Sequence, residues 1–311
     1  MRYKIISPVL MHRGYFRDDI MSDKSKGIVF ILLAALSFAC MSACVRLAGD
    51  VSTFEKAFFR NLVALLITGP LMLKNHIPTK LNRESRRFVL MRAVFGTVGL
   101  VCNYYAISRI NLADANMLNK MSPFFAVIFS SLLLGEKMNM KQLLIVVGAF
   151  LGSLLIIKPS PSNMLLVPSI VGAIGGIGTG AAYSCVRGAI THGAARTYVV
   201  FFFSAFSTLA MLPLAMLDFS LPSPEQFLWL MMCGVFGACG QFTITAAYTY
   251  APAREISVYD YSQIIFSALL GLLLFDQIPD ALSFAGYGII ILLALINSGH
   301  IELNKKKRRT V

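Results

Sequence analysis

Charge is scarce in this sequence. Asp, Glu, Lys and Arg make up 14% of its 311 residues, against about 25% in ordinary soluble domains. Tryptophan occurs once, and the four histidines, His12, His76, His192 and His300, fall in expected tails or loops. No GxxxxGK[ST] segment is present, so the backbone cradle of a phosphate-binding loop is missing and ATP-driven export is not expected. The six cysteines, Cys40, Cys44, Cys102, Cys185, Cys233 and Cys239, form no CxxC pair and no Cys/His cluster of metal-ligand spacing. They read as small apolar packing residues. Rings of like charge of the kind that line a channel are also missing. These absences exclude a soluble globular enzyme, a disordered chain and a coiled coil. They leave no nucleophile beside a base, and neither a metal nor a cofactor is expected.

What the chain has instead is apolar length. Apolar residues make up 57% of it and mean hydropathy is +0.70. A span needs about 20 mainly apolar residues. Apolar runs between polar punctuation give ten, near 27–48, 54–73, 86–107, 113–134, 141–158, 166–189, 197–217, 226–249, 254–275 and 281–298. The formal charge of +13 would suggest nucleic acid in a soluble chain, but its distribution gives it another meaning. With the amino terminus inside, twenty basic residues fall on the cytoplasmic side and two, Arg109 and Lys158, on the other. That is the positive-inside pattern, with both termini cytoplasmic. The expected fold is therefore all-α, a polytopic membrane protein of ten transmembrane helices, with the lipid bilayer as partner and no nucleic acid. Residues 1–26 and 299–311 are expected to be cytoplasmic tails. The stretch from Met21 to Lys26 looks like a second natural beginning, which leaves the first twenty residues as either an over-long start or a disordered tail.

The chain also repeats itself at an offset of about 140 residues. Cys44-Val45-Arg46 recurs as Cys185-Val186-Arg187. Ser122 matches Ser262, Leu133-Leu134 matches Leu273-Leu274, and Gly148 matches Gly288. Five spans per half force the second half into the opposite polarity, giving two inverted five-helix repeats, 27–158 and 166–298, with a binding site expected near the midplane between them.

This layout resembles the EamA-type family of the drug/metabolite transporter superfamily. Locally, the resemblance rests on Phe54 to Asn61 opening span 2, on Ser122-Pro123 with Leu134-Gly135-Glu136 in span 4, and on the echo ending in Phe275-Asp276. The span 2 segment and Tyr259-Asp260-Tyr261 are similar to the branch containing bacterial S-adenosylmethionine uptake carriers. Gln263 stands where Pro123 has its counterpart, a departure from the family pattern. The resemblance implies a secondary transporter of the bacterial inner membrane that moves a small molecule by alternating access, and makes S-adenosylmethionine or an amino-acid-like zwitterion the expected substrate. Efflux by proton antiport, a non-transporting scaffold and a membrane-embedded enzyme stay open as alternatives, as does a homodimer.

Charges inside spans need a partner or a wet cavity. Span 4 carries Asn116, Asn119, Lys120 and Pro123 at i, i+3, i+4 and i+7, one helical face. Span 9 carries Tyr259, Asp260, Gln263 and Ser267 at i, i+1, i+4 and i+8, with Tyr259, Gln263 and Ser267 each one turn apart on its own face. Lys120 and Asp260 are equivalent across the repeat with opposite sign, as are Asp114 and Arg254. Lys120 and Asp260 are expected to bracket a substrate, or else to form an interhelical ion pair. Asn103 and Tyr104 in span 3, Tyr183 in span 6, and Gln241 and Tyr248 in span 8 complete the expected substrate-binding set with Asn116, Asn119, Lys120, Tyr259, Asp260 and Gln263. Arg92 and Asn103 share a face with Gly96 and Gly99. Asp260 is the candidate for proton coupling. Arg60, about a turn and a half past Glu55, is expected to form a structural latch, paired with Glu55 or snorkelling outward. The glycines of span 6 fit either a gate or tight packing.

Overall fold

The structure is a computed structural model, and it describes residues 23–135, 140–158, 165–217, 219–250 and 257–297. Among these the secondary structure is helical. Helices α1 (Asp23–Leu47), α2 (Thr53–Lys74) and α3 (Arg83–Ile107) are followed by two shorter pieces, α4 (Leu112–Asn119) and α5 (Ser122–Leu134), and by α6 (Met140–Ile157). In the second half α7 (Leu166–Thr191), α8 (Arg196–Leu217) and α9 (Pro224–Tyr250) precede a 3-10 turn (Ser257–Tyr261), then α10 (Ser262–Phe275) and α11 (Ala281–Asn297). Seven segments are long and apolar enough to cross a membrane, the α4–α5 pair counted as one, and three shorter apolar helices accompany them. Residues 1–22, with the alternative start at Met21, and the basic carboxyl-terminal tail lie outside the described residues, as do Glu136 and Arg254.

Local chemistry sets the helix ends. Ser52 and Glu55 form a reciprocal capping box on α2, Glu55 N–H to Ser52 Oγ at 3.1 Å and Ser52 N–H to Glu55 Oε2 at 3.2 Å. Ser223 and Gln226 do the same at α9. Each box satisfies backbone donors that a helix start leaves unpaired. At α5 the chain leaves the helix through Gly135, in the left-handed conformation at φ 68°, which glycine adopts without strain.

Large apolar side chains, Leu66, Leu132, Leu209 and Leu273 among them, point outward, more than a water-exposed surface tolerates. The interior holds small residues and polar pairs. The principal packings are α3 on α7, α1 on α9, α2 on α8, α5 on α7, α1 on α10 and α6 on α11. Exchanging each first-half helix for its second-half counterpart turns every one of these contacts into another of the set or into itself.

Glycine sets the depth of the α7 contacts. A Cβ on Gly176 would sit 2.4 Å from the Leu118 carbonyl oxygen, and one on Gly178 would sit 3.3 Å from the Gly99 backbone. The glycine face of span 6 is thus filled by α3 and by the break between α4 and α5, which is the tight-packing alternative.

Candidate functional site

Of the two helices expected to carry the central charges, the first is interrupted beside its charge and the second opens as a 3-10 turn that carries it. α4 ends at Asn119, with Lys120 as its C-cap, and α5 starts at Ser122. In the second half the 3-10 turn carries Asp260 and gives way to α10 at Ser262. The face of Asn116, Asn119, Lys120 and Pro123, read from i, i+3, i+4, i+7 spacing, therefore belongs to an interrupted helix. Interruption frees backbone groups that must be paired inside the protein, because lipid offers no partners. Tyr261 answers one of them, its hydroxyl donating to the Lys120 carbonyl at 3.2 Å.

Lys120 Nζ donates to Asp260 Oδ2 in a direct ion pair between the α4–α5 interruption and the 3-10 turn. Of the two arrangements open from sequence, bracketing a substrate or pairing across helices, pairing is the one formed. Lys120 is 8% exposed, and Asp260 Oδ1 is buried without a hydrogen-bond partner.

The pair lies on the wall of a central cavity of about 110 Å³. Eight of the eleven expected substrate-binding residues line it: Asn103, Asn116, Asn119, Lys120, Tyr183, Gln241, Asp260 and Gln263. Tyr104 does not. It is fully buried, with its hydroxyl 3.4 Å from Cys233 Sγ, because one residue beyond Asn103 is 100° around the helix and faces α9 instead. Tyr259 also stays off the cavity wall and is 37% exposed; like Tyr104 it is the immediate neighbour of a cavity-lining residue, and neighbours on a helical turn point to different sides. The side chain of Tyr248 lies outside the described residues.

Asn116 lines the cavity, but its amide is occupied. Its Oδ1 accepts from Ser42 Oγ at 3.0 Å and Gln263 Nε2 at 3.0 Å, and its Nδ2 donates to Leu112 O at 3.0 Å and Ser267 Oγ at 3.1 Å. Two donors and two acceptor sites is the full capacity of an amide, so Asn116 ties α1, α4 and α10 together. Asn119 donates to Thr179 Oγ1 at 3.3 Å on α7.

The expected Glu55–Arg60 latch does not form. Glu55 is committed to its capping box. Arg60, 4% exposed, turns into the cavity, with Nη1 donating to Asn61 Oδ1 at 2.7 Å. Arg92 reaches the same cavity from α3. Their Cζ atoms lie 5.8 Å and 4.1 Å from the centroid of the Phe203 ring on α8. Arg60, Arg92, Phe203 and Gln241 also line a second chamber of about 180 Å³, which extends toward Arg196 at the start of α8. Sequence reasoning misses Phe203; the signal beside it is Ser204, Ser207 and Thr208 at i, i+3 and i+4, a buried polar face on an otherwise apolar helix. Arg92 was legible as a member of the Gly96/Asn103 face.

At the far end of the bundle Asp114 is held by Tyr287, whose hydroxyl donates to Asp114 Oδ1 at 2.6 Å. Beside it Lys158 pairs with Asp280 at 2.5 Å across the ends of α6 and α11. Among the described residues no group of His, Cys, Asp and Glu is arranged to hold a metal ion.

Comparison with known proteins agrees with this architecture. The model of the EamA-like transporter family matches twice, over residues 25–158 and 167–299. The pseudopaline exporter CntI of Pseudomonas aeruginosa is 34% identical over 274 residues, covering 87% of this chain and 94% of that protein. An uncharacterized transporter of Helicobacter pylori is 30% identical, covering 87% and 93%. A riboflavin transporter of Vibrio cholerae is 25% identical, covering 91% and 96%. A solved crystal structure superposes with a TM-score of 0.60 at 16% identity, covering 88% of this chain and 96% of its own, and so shares the fold.

Proposed function

The chain belongs to the EamA-like transporter family, integral multi-pass membrane transporters and not enzymes, and from that premise we propose a secondary transporter that moves a small polar metabolite by alternating access. The two repeats, 27–158 and 166–298, would rock against each other around a central site, with both termini on the cytoplasmic side of a bacterial inner membrane. The reciprocal helix packing and the double family match support the repeat. The twenty-to-two distribution of basic residues supports the orientation.

One observation carries the reading. Lys120 and Asp260, 140 residues apart, form an ion pair between the α4–α5 interruption and a 3-10 turn, at a cavity lined by both halves. Opening one side of the bundle must part this pair. Removing a partner from a buried pair costs about 3–5 kcal/mol, so an empty carrier stays closed. A substrate bearing an ammonium and a carboxylate gives each residue a replacement partner and offsets that cost, which ties opening to binding. The cavity of about 110 Å³ has room for a few waters at about 30 Å³ each, so a metabolite enters as the walls separate. Asn103, Asn119, Tyr183 and Gln241 supply the polar lining. S-adenosylmethionine and amino acids carry the required ammonium and carboxylate.

Efflux by proton antiport is the second reading. It rests on the buried, unpartnered Oδ1 of Asp260, where a proton would release Lys120 as a substrate ammonium would, and on the exporter among the relatives. A thermal-stability screen of the purified protein against metabolites finds the ligand, since specific binding raises apparent stability by mass action. In proteoliposomes Lys120→Met and Asp260→Asn should each lose transport of that ligand while still inserting. Wild-type rates in either variant would overturn the reading. An imposed pH gradient drives flux under antiport and leaves it unchanged in a facilitator.

A further inference from the structure

The central cavity carries more positive charge than its acid can answer. Its one carboxylate, Asp260, is engaged by Lys120, while Arg60 and Arg92 line the same wall. Among the described residues neither guanidinium has a carboxylate within salt-bridge distance. The Nε atoms of both are buried and without a hydrogen-bond partner, and so is Asn103 Oδ1 beside them. Phe203 lies against both guanidiniums, and a ring face offsets a desolvated cation only in part.

Two like charges held together inside spans are unfavourable unless an anion joins them. Guanidinium is also the group whose planar fork fits a carboxylate or phosphate through two parallel hydrogen bonds. A structural arginine in this bundle has its donors answered, as Arg46 has from the Ile107 and Ile110 carbonyls and from Gln277 Oε1; the Nε atoms of Arg60 and Arg92 have no such partner. Both arginines border the central cavity and the chamber leading toward Arg196, so an acidic group passing from one to the other meets them on the way.

We propose that Arg60 and Arg92 form an anion site at the junction of the two chambers, holding an acidic group of the substrate beyond the one met by Lys120. The transported molecule is then an ammonium-bearing metabolite with at least two acidic groups and a net negative charge. This rests on the reading of the central cavity as the substrate site, and it separates that class from a sulfonium such as S-adenosylmethionine, which adds a cation to an already cationic wall.

The test is the melting temperature of the purified full-length protein with L-glutamate, L-glutamine, citrate and S-adenosylmethionine at matched concentration and ionic strength. Glutamate and glutamine differ in one carboxylate, so their gap isolates the anion site. Glutamate should raise the melting temperature by several degrees more than glutamine, and S-adenosylmethionine by no more than glutamine. The gap should close in Arg92→Gln and persist in reduced form in Arg92→Lys, which keeps the charge and loses the fork. Without ligand, Arg92→Gln should melt at the same temperature as wild type or higher, since an uncompensated cation has been removed; a drop marks a structural arginine and overturns the proposal. Equal shifts by glutamate and glutamine that both vanish in Lys120→Met overturn the anion site and leave the transporter reading standing. No shift with any probe, together with no hit in the metabolite screen, overturns both.

Discussion

Gln263 and Asn116, 147 residues apart in sequence, share a hydrogen bond of 3.0 Å from Gln263 Nε2 to Asn116 Oδ1. It joins the start of α10, just after the 3-10 turn, to α4 just before its interruption. Gln263 is also the position at which the second half departs from the Ser-Pro of the first. A glutamine there supplies the donor that fills Asn116, and a proline could not.

Asn116→Leu removes the centre of this network, strands Gln263 Nε2 and Ser267 Oγ, and leaves Ser42 only the Phe38 carbonyl. Each buried polar group left unsatisfied costs about 1–3 kcal/mol, partly relieved where a hydroxyl can turn to a backbone carbonyl, as Ser42 already does toward Phe38 O at 2.9 Å. The variant should lose about 2–4 kcal/mol in denaturant unfolding in detergent. An unchanged midpoint would show that Asn116 is a cavity group and not a structural tie.

The ion pair can be separated into stability and function. Lys120→Met and Asp260→Asn each leave one buried charge unpaired and should lower the melting temperature, whereas the double variant should recover much of the loss. Transport should stay absent in all three. A double variant that is stable and also transports at wild-type rate would reduce the pair to packing.

Gly176→Val places a side chain where a Cβ alone would lie 2.4 Å from the Leu118 carbonyl oxygen. Overpacking of this kind costs about 1–3 kcal/mol or more, and expression and melting temperature should both fall. Gly288→Ala, whose Cβ meets nothing within 4 Å, is the control and should be neutral or slightly stabilising. Equal behaviour of the two variants would mean that α7 does not depend on close approach.

At the far end of the bundle, the hydrogen bond from Lys158 holds the Asp280 carboxyl below its ordinary value. A depressed acid adds stability above its unfolded value and loses it as the pH falls through the folded one. Asp280 is exposed, so the contribution stays under about 1 kcal/mol. Melting temperatures of wild type and Lys158→Met should differ slightly at neutral pH and converge toward pH ~3, below the ordinary aspartate value of about 3.9. A gap that is the same at both pH values would rule out the pair as its source.

Much of the central site was readable from helical spacing. Asn116, Asn119, Lys120, Asp260 and Gln263 converge on one cavity because side chains three and four residues apart share a face even when the helix is interrupted between them. Spacing failed where the partner came from another helix. Spacing along the chain offers Arg60 either Glu55 or the outer interface, but Glu55 caps its own helix and Arg60 turns inward against Phe203 on α8, 143 residues away. Tyr104 was placed with Asn103 as its neighbour in sequence, and the helical turn carries it to Cys233 instead.

The sequence by itself determined the solvent, the family and the polar positions, because hydropathy, charge distribution and a 140-residue echo are properties of residue order. Tertiary structure decided how those positions are used. Lys120 is paired and not open, Asn116 is saturated, and among the described residues Arg60 and Arg92 have no acid within salt-bridge distance. Whether a buried charge is compensated depends on which side chain arrives from another helix within about 4 Å, and no linear spacing encodes that distance.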